Sequence, residues 1–304
     1  MKPAIEISAI SKSHGAVVAL DRVSFTVGHG ELFGLIGPDG AGKSSLYRIL
    51  STLSIPDSGV ATVNGLDVVR DYKKLRSRIG YMPEKFSLYQ DMTVAENMAF
   101  FSSLFGVSVK ENYDLIAPVF SQLEKFPHRM AGALSGGMKQ KLALSCALIH
   151  RPDILLLDEP TTGVDAVSRN EFWDMLATLR EKGITILVST SYMDEATRCE
   201  RIAMINNGHI LAVDTPSALI GRMDENLYNA VATDMFGLLT GLRRNPDVID
   251  CYTFGATLHV VGNEKFSALK AEAMLRDAGI PDARIYPATG NIEDLFIKQI
   301  RDER

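Results

Sequence analysis

The octet "GPDGAGKS", Gly37 to Ser44, constrains this chain more than any other stretch. It follows a buried apolar run, "LFGLIG", and opens a run with helical spacing, "KSSLYRILSTLS" over residues 43 to 54. Gly37, Gly40 and Gly42 let backbone N–H groups converge on one point, and between a strand and a helix start that geometry suits a polyanion. Pro38, Asp39 and Ala41 complete the loop. Lys43 can reach β and γ phosphates, and the hydroxyl of Ser44, with Ser45 beside it, suits a Mg²⁺ ion.

A strand, loop and helix of this kind calls for an α/β sheet covered by helices, and the rest of the chain is patterned for one. Short β-rich runs, "AIEISAI", "VSFTV", "GVATVNG" and "SRIGYMP", fill the first ninety residues. From about Thr93 to Leu148 the spacing is helical. Strand character returns in "DILLLDEP" and "GITILVST", on either side of the amphipathic "AVSRNEFWDMLATLREKG". "RIAMINNGHILAVD" reads as a hairpin turning at Asn-Gly, with a capped helix, "TPSALIGRM", after it. Beyond about Glu225 the texture changes to short β and α segments without a chemical motif. The expected division is 1–222 for the main domain, with a helical subdomain at about 90–148, and 223–304 for an accessory α+β domain.

"ILLLDEP" delivers Asp158 and Glu159 to the carboxyl end of a buried strand, where ligands sit in open α/β sheets. Asp158 is placed to hold Mg²⁺ through water, and Glu159 to orient or deprotonate an attacking water. Between the phosphate loop and this strand lies "LSGGMKQ". There Ser135, Gly136 and Gly137 open a helix with free N–H groups.

Composition narrows the function classes. A chain of 304 residues with 46% hydrophobic and 23% charged residues is ordinary globular material, and a net charge of -5 disfavours nucleic acid as a partner. Cys146, Cys199 and Cys251 lack the paired spacing of a metal site or disulfide framework, which fits a reducing cytoplasm. Glu6 interrupts what would be the apolar core of a signal peptide. The most apolar stretch, "MTVAENMAFFSSLFGVSV" from Met92, is broken by Glu96 and Asn97 and reads as a helix buried in protein rather than a membrane span. Trp173 reads as core, His150 and His209 as helix-end and hairpin residues, and Arg243 with Arg244 as a solvated turn.

The order of phosphate loop, LSGGMKQ and apolar strand with Asp-Glu resembles the ATP-binding subunits of ABC transporters over residues 1 to about 222. The resemblance implies a P-loop NTPase ABC nucleotide-binding domain: a mixed sheet core, an N-terminal β-subdomain and an α-helical subdomain. It implies ATP and Mg²⁺ as cofactors and a head-to-tail pair, in which Ser135, Gly136 and Gly137 complete a partner's site. "TTGVDAVSR" looks like the family's D-loop, with Asp165 near the dimer seam. "IGYMPEKFSLY" looks like the segment coupled to a transmembrane subunit.

Within the family, "GPDGAGK", "YMPEKFSLY", "LSGGMKQKLAL" and "STSYMDEA" resemble the N-terminal half of the YbhF-like, ABC-2-type multidrug exporters, and "NIEDLFIKQI" resembles their accessory tail. The resemblance implies ABC-2-type permease subunits as partners, a second ATP-binding chain or a second copy, a possible periplasmic adaptor, and a place at the cytoplasmic face of the plasma membrane.

Four positions depart from the family pattern. His14 stands at the adenine-stacking aromatic and offers less stacking area. Asp39 brings charge into the phosphate loop. Glu84 stands at the glutamine that contacts Mg²⁺ and the attacking water, and adds a repulsion of a few kcal/mol at ~4 Å from the γ-phosphate for an effective dielectric of ~20. Ser191 takes the place of the switch histidine that contacts the γ-phosphate and aligns the catalytic glutamate. Phosphoryl transfer depends on positioning and charge stabilisation, and a loss of ~3 kcal/mol slows turnover about a hundredfold. The expectation is a slow site of its own, with LSGGMKQ intact for a histidine-bearing partner. The alternatives are a catalytically competent homodimer, a regulatory pseudo-ATPase, or a soluble ABC ATPase of translation or repair. For the last, the interval from Ser44 to Ser135 has no room for a second cassette or a long heptad insertion.

Overall fold

Leu32–Ile36 is buried at all five positions, as are Ile154–Leu157 and Thr185–Thr190. Strands with no wet face belong inside a parallel sheet with helices on both sides. In the computed structural model, which describes residues 2–85, 87–223 and 226–302, these strands form the middle of a six-stranded sheet. Its order is His209–Asp214, Arg201–Asn206, Leu32–Ile36, Thr185–Thr190, Ile154–Leu157, Ile79–Met82. All neighbours are parallel except the terminal hairpin, whose turn residues Asn207 and Gly208 have φ of 45° and 80°. Both values suit the Asn-Gly turn read from the sequence.

An antiparallel four-stranded sheet, ordered Val17–Val27, Ile5–His14, Ser58–Val63, Leu66–Asp67, shares its core with the phosphate-loop helix Lys43–Leu50. The first two strands are longer than their alternation suggested. Ala9 and Arg22 take φ near 50° at irregularities in the pairing, where Ser24 and Ser11 hydroxyls accept their N–H groups.

Between residues 93 and 148 lie three α-helices. Val94–Phe105 has a Thr93–Glu96 capping box, Tyr113–Phe120 follows it, and Gly136–Leu148 is capped by Ser135. The first differs from its expected burial: Val94 and Met98 are buried, whereas Phe100 is 39% and Leu104 64% exposed. Apolar residues on two sides of this helix serve the core on one side and a surface groove on the other.

The structure divides into one unit through Pro216 and another from Ser217. Asp224 and Glu225, where the texture of the sequence changes, lie outside the described residues, as does Phe86 of "YMPEKFSLY". The second unit has its own antiparallel sheet, ordered Val248–Phe254, Thr257–Gly262, Asn226–Val231, Arg284–Pro287, and a core with Met235–Arg243 and Ala268–Asp277. Arg243 is not simply solvated: it donates to the Cys251 carbonyl. His259 Nδ1 lies 2.5 Å from Asp294 on the helix Ile292–Asp302, and Tyr252 donates to the same oxygen.

Candidate functional site

At the carboxyl ends of the central strands, the loop from Gly37 is built by backbone constraint. Gly42 has φ 106°, and a Cβ there would lie 2.2 Å from the Ala19 carbonyl oxygen; one on Gly37 would lie equally close to that of Ile205. Only glycine fits. The loop is tied at both ends, by Gly37 N–H to the Thr190 carbonyl at 3.3 Å and by the Ala41 carbonyl accepting from Gly208 N–H at 3.0 Å. The hairpin turn therefore braces the loop, a function the sequence did not disclose.

Lys43 Nζ donates to the carbonyls of Gly37 at 2.6 Å and Pro38 at 2.8 Å, and forms an ion pair with Glu159 Oε1 at 2.8 Å. Both side chains are buried. Glu159 Oε2 accepts from Thr162 Oγ1 at 3.1 Å, Ser191 N–H at 3.2 Å and Ser191 Oγ at 3.4 Å. Ser191, at the position of the switch histidine, contacts the glutamate through both its backbone N–H and its hydroxyl.

Ser189, which the sequence reading did not single out, sits between the two acidic residues. Its hydroxyl donates to Asp158 Oδ1 at 2.8 Å and accepts from Glu159 N–H at 2.9 Å. Burial pushes the Asp158 carboxyl above its ordinary value; the hydroxyls of Ser189 and Ser44 oppose the shift, while Glu159 and Glu84 add to it. An acid whose folded pKa is raised binds its proton more tightly folded than unfolded. Stability is therefore lost as pH rises from the unfolded value through the folded one, and the penalty stands in full above it. Asp158→Asn should raise the melting temperature at pH 7 in the absence of Mg²⁺ and nucleotide, by about 2–4 °C per kcal/mol relieved. The gain should vanish near pH ~3, where the acid is protonated in both states.

Asp39, Gly40, Gly42, Lys43, Ser44, Ser45, Glu84 and Glu159 line one cavity of about 370 Å³, with Val17, Val18 and Ala19 at its edge. His14 joins them through Ser45, with its Nε2 3.1 Å from Ser45 Oγ. The oxygen donors Ser44, Asp158 and Glu84 match the hard-ligand preference of Mg²⁺. Among the described residues there is no cluster of three or more His, Cys, Asp or Glu that could hold a metal ion.

Ser135, Gly136, Gly137 and Asp165 do not line this cavity but cluster with one another. A Cβ on Gly136 would lie 3.1 Å from the Gly163 carbonyl oxygen, and one on Gly137 2.7 Å from Ser168, whose N–H is capped by Asp165 at 3.0 Å. Two helix starts thus pack closely together, with Ser135 and Gly136 exposed and Gly137 buried.

A concavity of about 710 Å³ lies apart from this chemistry. Leu53, Leu88, Phe101, Leu104 and Phe105 make it apolar, and Lys73 and Arg76 stand on it. His150, at the end of its helix, stacks on Phe105 at 3.8 Å and contacts the Ile79 carbonyl at 3.1 Å. No helix among the described residues is long and apolar enough to cross a membrane.

Comparison with known proteins agrees with the geometry. The profile of the ABC transporter family matches residues 20–162. The Nod factor export ATP-binding protein I of Rhizobium sp. (strain N33) is 41% identical over 304 residues, 98% of this chain and 97% of that protein. The probable multidrug ABC transporter ATP-binding protein YbhF of Escherichia coli is 42% identical over 217 residues, 71% of this chain; the match spans only 38% of YbhF. Among solved structures, an ATP-binding subunit of an ABC transporter superposes with a TM-score of 0.65 at 27% identity, covering 72% of this chain and 92% of that one. A dimeric ATP-binding cassette in a post-hydrolysis state bound to ADP and Pi superposes with a TM-score of 0.62 at 25% identity, covering 69% and 98%.

Proposed function

The chain belongs to the ABC transporter family of ATP-binding proteins, and from that premise we propose that it is the ATP-binding motor subunit of an ABC-2-type exporter whose own nucleotide site turns over slowly. The observation that carries this reading is the buried Lys43–Glu159 pair within the glycine loop, with Ser191 and not a histidine against the glutamate. ATP lays its phosphates along Gly37 to Ser45, and Lys43 exchanges Glu159 for phosphate oxygens. Ser44, Asp158 and Glu84 would hold Mg²⁺, which would supply positive charge against the phosphate oxygens. Glu159, freed from Lys43, orients the attacking water while Ser191 and Thr162 keep its other oxygen in place.

The slow step follows from what Ser191 lacks. Its contacts with Glu159 keep the glutamate aligned, but its hydroxyl is too short to take over an imidazole's contact with the γ-phosphate. Glu84 adds negative charge on the same side. The loss therefore falls on transition-state stabilisation more than on binding.

Two further features support the assembly. Ser135 and Gly136 of the signature are exposed at the start of their helix, where a nucleotide held by a second chain could be met, and the apolar groove beside Leu88 is suited to a permease segment carrying apolar anchors and an acidic residue for Lys73 or Arg76. The exporter names of the relatives support outward transport, and a peripheral place on the membrane follows from a permease partner.

Purified alone, the chain should bind ATP and hydrolyse it weakly. Ser191→His together with Glu84→Gln should raise single-turnover hydrolysis about tenfold or more, with ATP affinity within about threefold of the parent, since roughly 1.4 kcal/mol of recovered stabilisation is a factor of ten. Fast unaided turnover, or no gain from the double substitution, contradicts the slow-site reading.

A further inference from the structure

Glu195 is a carboxylate that the nucleotide site does not touch, yet it is only 3% exposed. A buried carboxylate is costly unless its oxygens are satisfied, so its partners are informative. Its Oε2 accepts from Thr190 Oγ1 at 2.5 Å and from Thr161 Oγ1 at 3.1 Å. Those threonines are not neutral ground: Thr161 is two residues beyond Glu159, and Thr190 immediately precedes Ser191. Thr190 Oγ1 also accepts the N–H of Tyr192 at 3.0 Å. A continuous chain runs from the Tyr192 amide through the Thr190 hydroxyl to Glu195, and Thr161 joins from the other side.

The segment fixed by that chain is the one that presents Ser191. With Thr190 and Tyr192 both tied down, the Ser191 N–H and Oγ between them are directed at Glu159 Oε2. The charge on Glu195 is met by Arg169, whose Nε is 3.8 Å from Oε1 and whose guanidinium lies 4.2 Å from the centre of the Tyr192 ring. Neither Glu195 Oε1 nor Arg169 Nε makes a hydrogen bond. Arg169 belongs to the helix Ala166–Glu181, capped by Asp165, so the helix start beside the signature surface is linked to the Ser191 turn by an ion pair with room to tighten.

We propose, on the reading of this site as a nucleotide site, that Glu195 is a positioning residue for hydrolysis. It clamps Thr161 and Thr190 so that Ser191 holds Glu159 in place, and Arg169 connects that clamp to the helix behind Asp165. Hydrogen-bond chains of this kind stiffen the groups they join, and catalysis by positioning is sensitive to small displacements.

The test compares Glu195→Ala and Glu195→Gln with the parent in the full chain. The first readout is amide hydrogen exchange without nucleotide. Glu195→Ala should speed exchange at Ser191 and Tyr192 about tenfold or more, with strands Leu32–Ile36 and Ile154–Leu157 unchanged. Glu195→Gln, which can still accept from both hydroxyls, should fall between. The second readout is single-turnover hydrolysis of prebound MgATP, which should drop about tenfold in Glu195→Ala while ATP affinity stays within twofold. Unchanged exchange at Ser191 and Tyr192 in Glu195→Ala overturns the proposal. So does a uniform rise in exchange accompanied by parallel losses of affinity and rate, the mark of a general structural role. If the exchange contrast holds but the parent hydrolyses no ATP, the clamp stands and the nucleotide-hydrolysis reading fails.

Discussion

Lys43→Ala should weaken ATP binding by about 10- to 100-fold and destabilise the chain at the same time. The affinity loss corresponds to about 1.5–3 kcal/mol for charge-assisted hydrogen bonds to phosphate. The stability loss has a separate cause. Removing one member of a buried ion pair leaves the other uncompensated, at a cost of about 3–5 kcal/mol. Glu159 keeps Ser191 and Thr162 as donors, so the low end of that range applies. At about 2–4 °C per kcal/mol, the melting temperature should fall by several degrees. Lys43→Ala combined with Glu159→Gln should recover most of the stability and none of the affinity, because the lone buried charge is gone and the phosphate contact is still missing. Thermal unfolding and equilibrium ATP binding of the two variants separate these effects. Equal destabilisation of the single and double variants would show that the uncompensated Glu159 charge is not what destabilises Lys43→Ala.

The phosphate loop, the Asp-Glu strand and the signature turn were legible in the sequence because each is a local pattern whose spacing dictates backbone geometry. Gly42 illustrates this: its φ and its closeness to Ala19 both follow from a loop that must turn sharply into a helix. Ser189 and Glu195 were not legible. The strand Thr185–Thr190 is buried on both faces, so alternation cannot say which hydroxyl points at the neighbouring strand. Their partners, Asp158 and Thr161, are about thirty residues away and meet them only through the parallel register of the sheet. The early strands were read short for a related reason. The irregularities at Ala9 and Arg22 interrupt the period of two on which a strand is recognised. The exposed face of Val94–Phe105 shows the converse error, since apolar content alone does not distinguish a core from an exposed groove.

The strongest consequence of the proposed asymmetry is borne by the signature and not by the serine that suggested it. In a pair formed with a histidine-bearing chain, Ser135→Arg should remove nearly all ATP turnover, about a hundredfold, because a bulky cation is placed where the partner's nucleotide must be met. Ser191→Ala in the same pair should cost less than about twofold, since the site it alters contributes little to the total. Ser135 also caps the helix Gly136–Leu148 through the Met138 N–H at 3.4 Å, so part of any loss could come from helix fraying. Ser135→Ala isolates that part: loss of an N-cap costs about 1 kcal/mol of stability and leaves the surface open. Its turnover should stay within a fewfold of the parent. If the chain instead works as a pair of identical copies with two competent sites, Ser135→Arg and Glu159→Gln abolish turnover alike in the isolated protein, with no second chain required. A hundredfold loss confined to Ser135→Arg, seen only when the partner chain is present, is the outcome that an unequal pair demands, because in the proposed head-to-tail pair each chain's signature would meet the other chain's ATP.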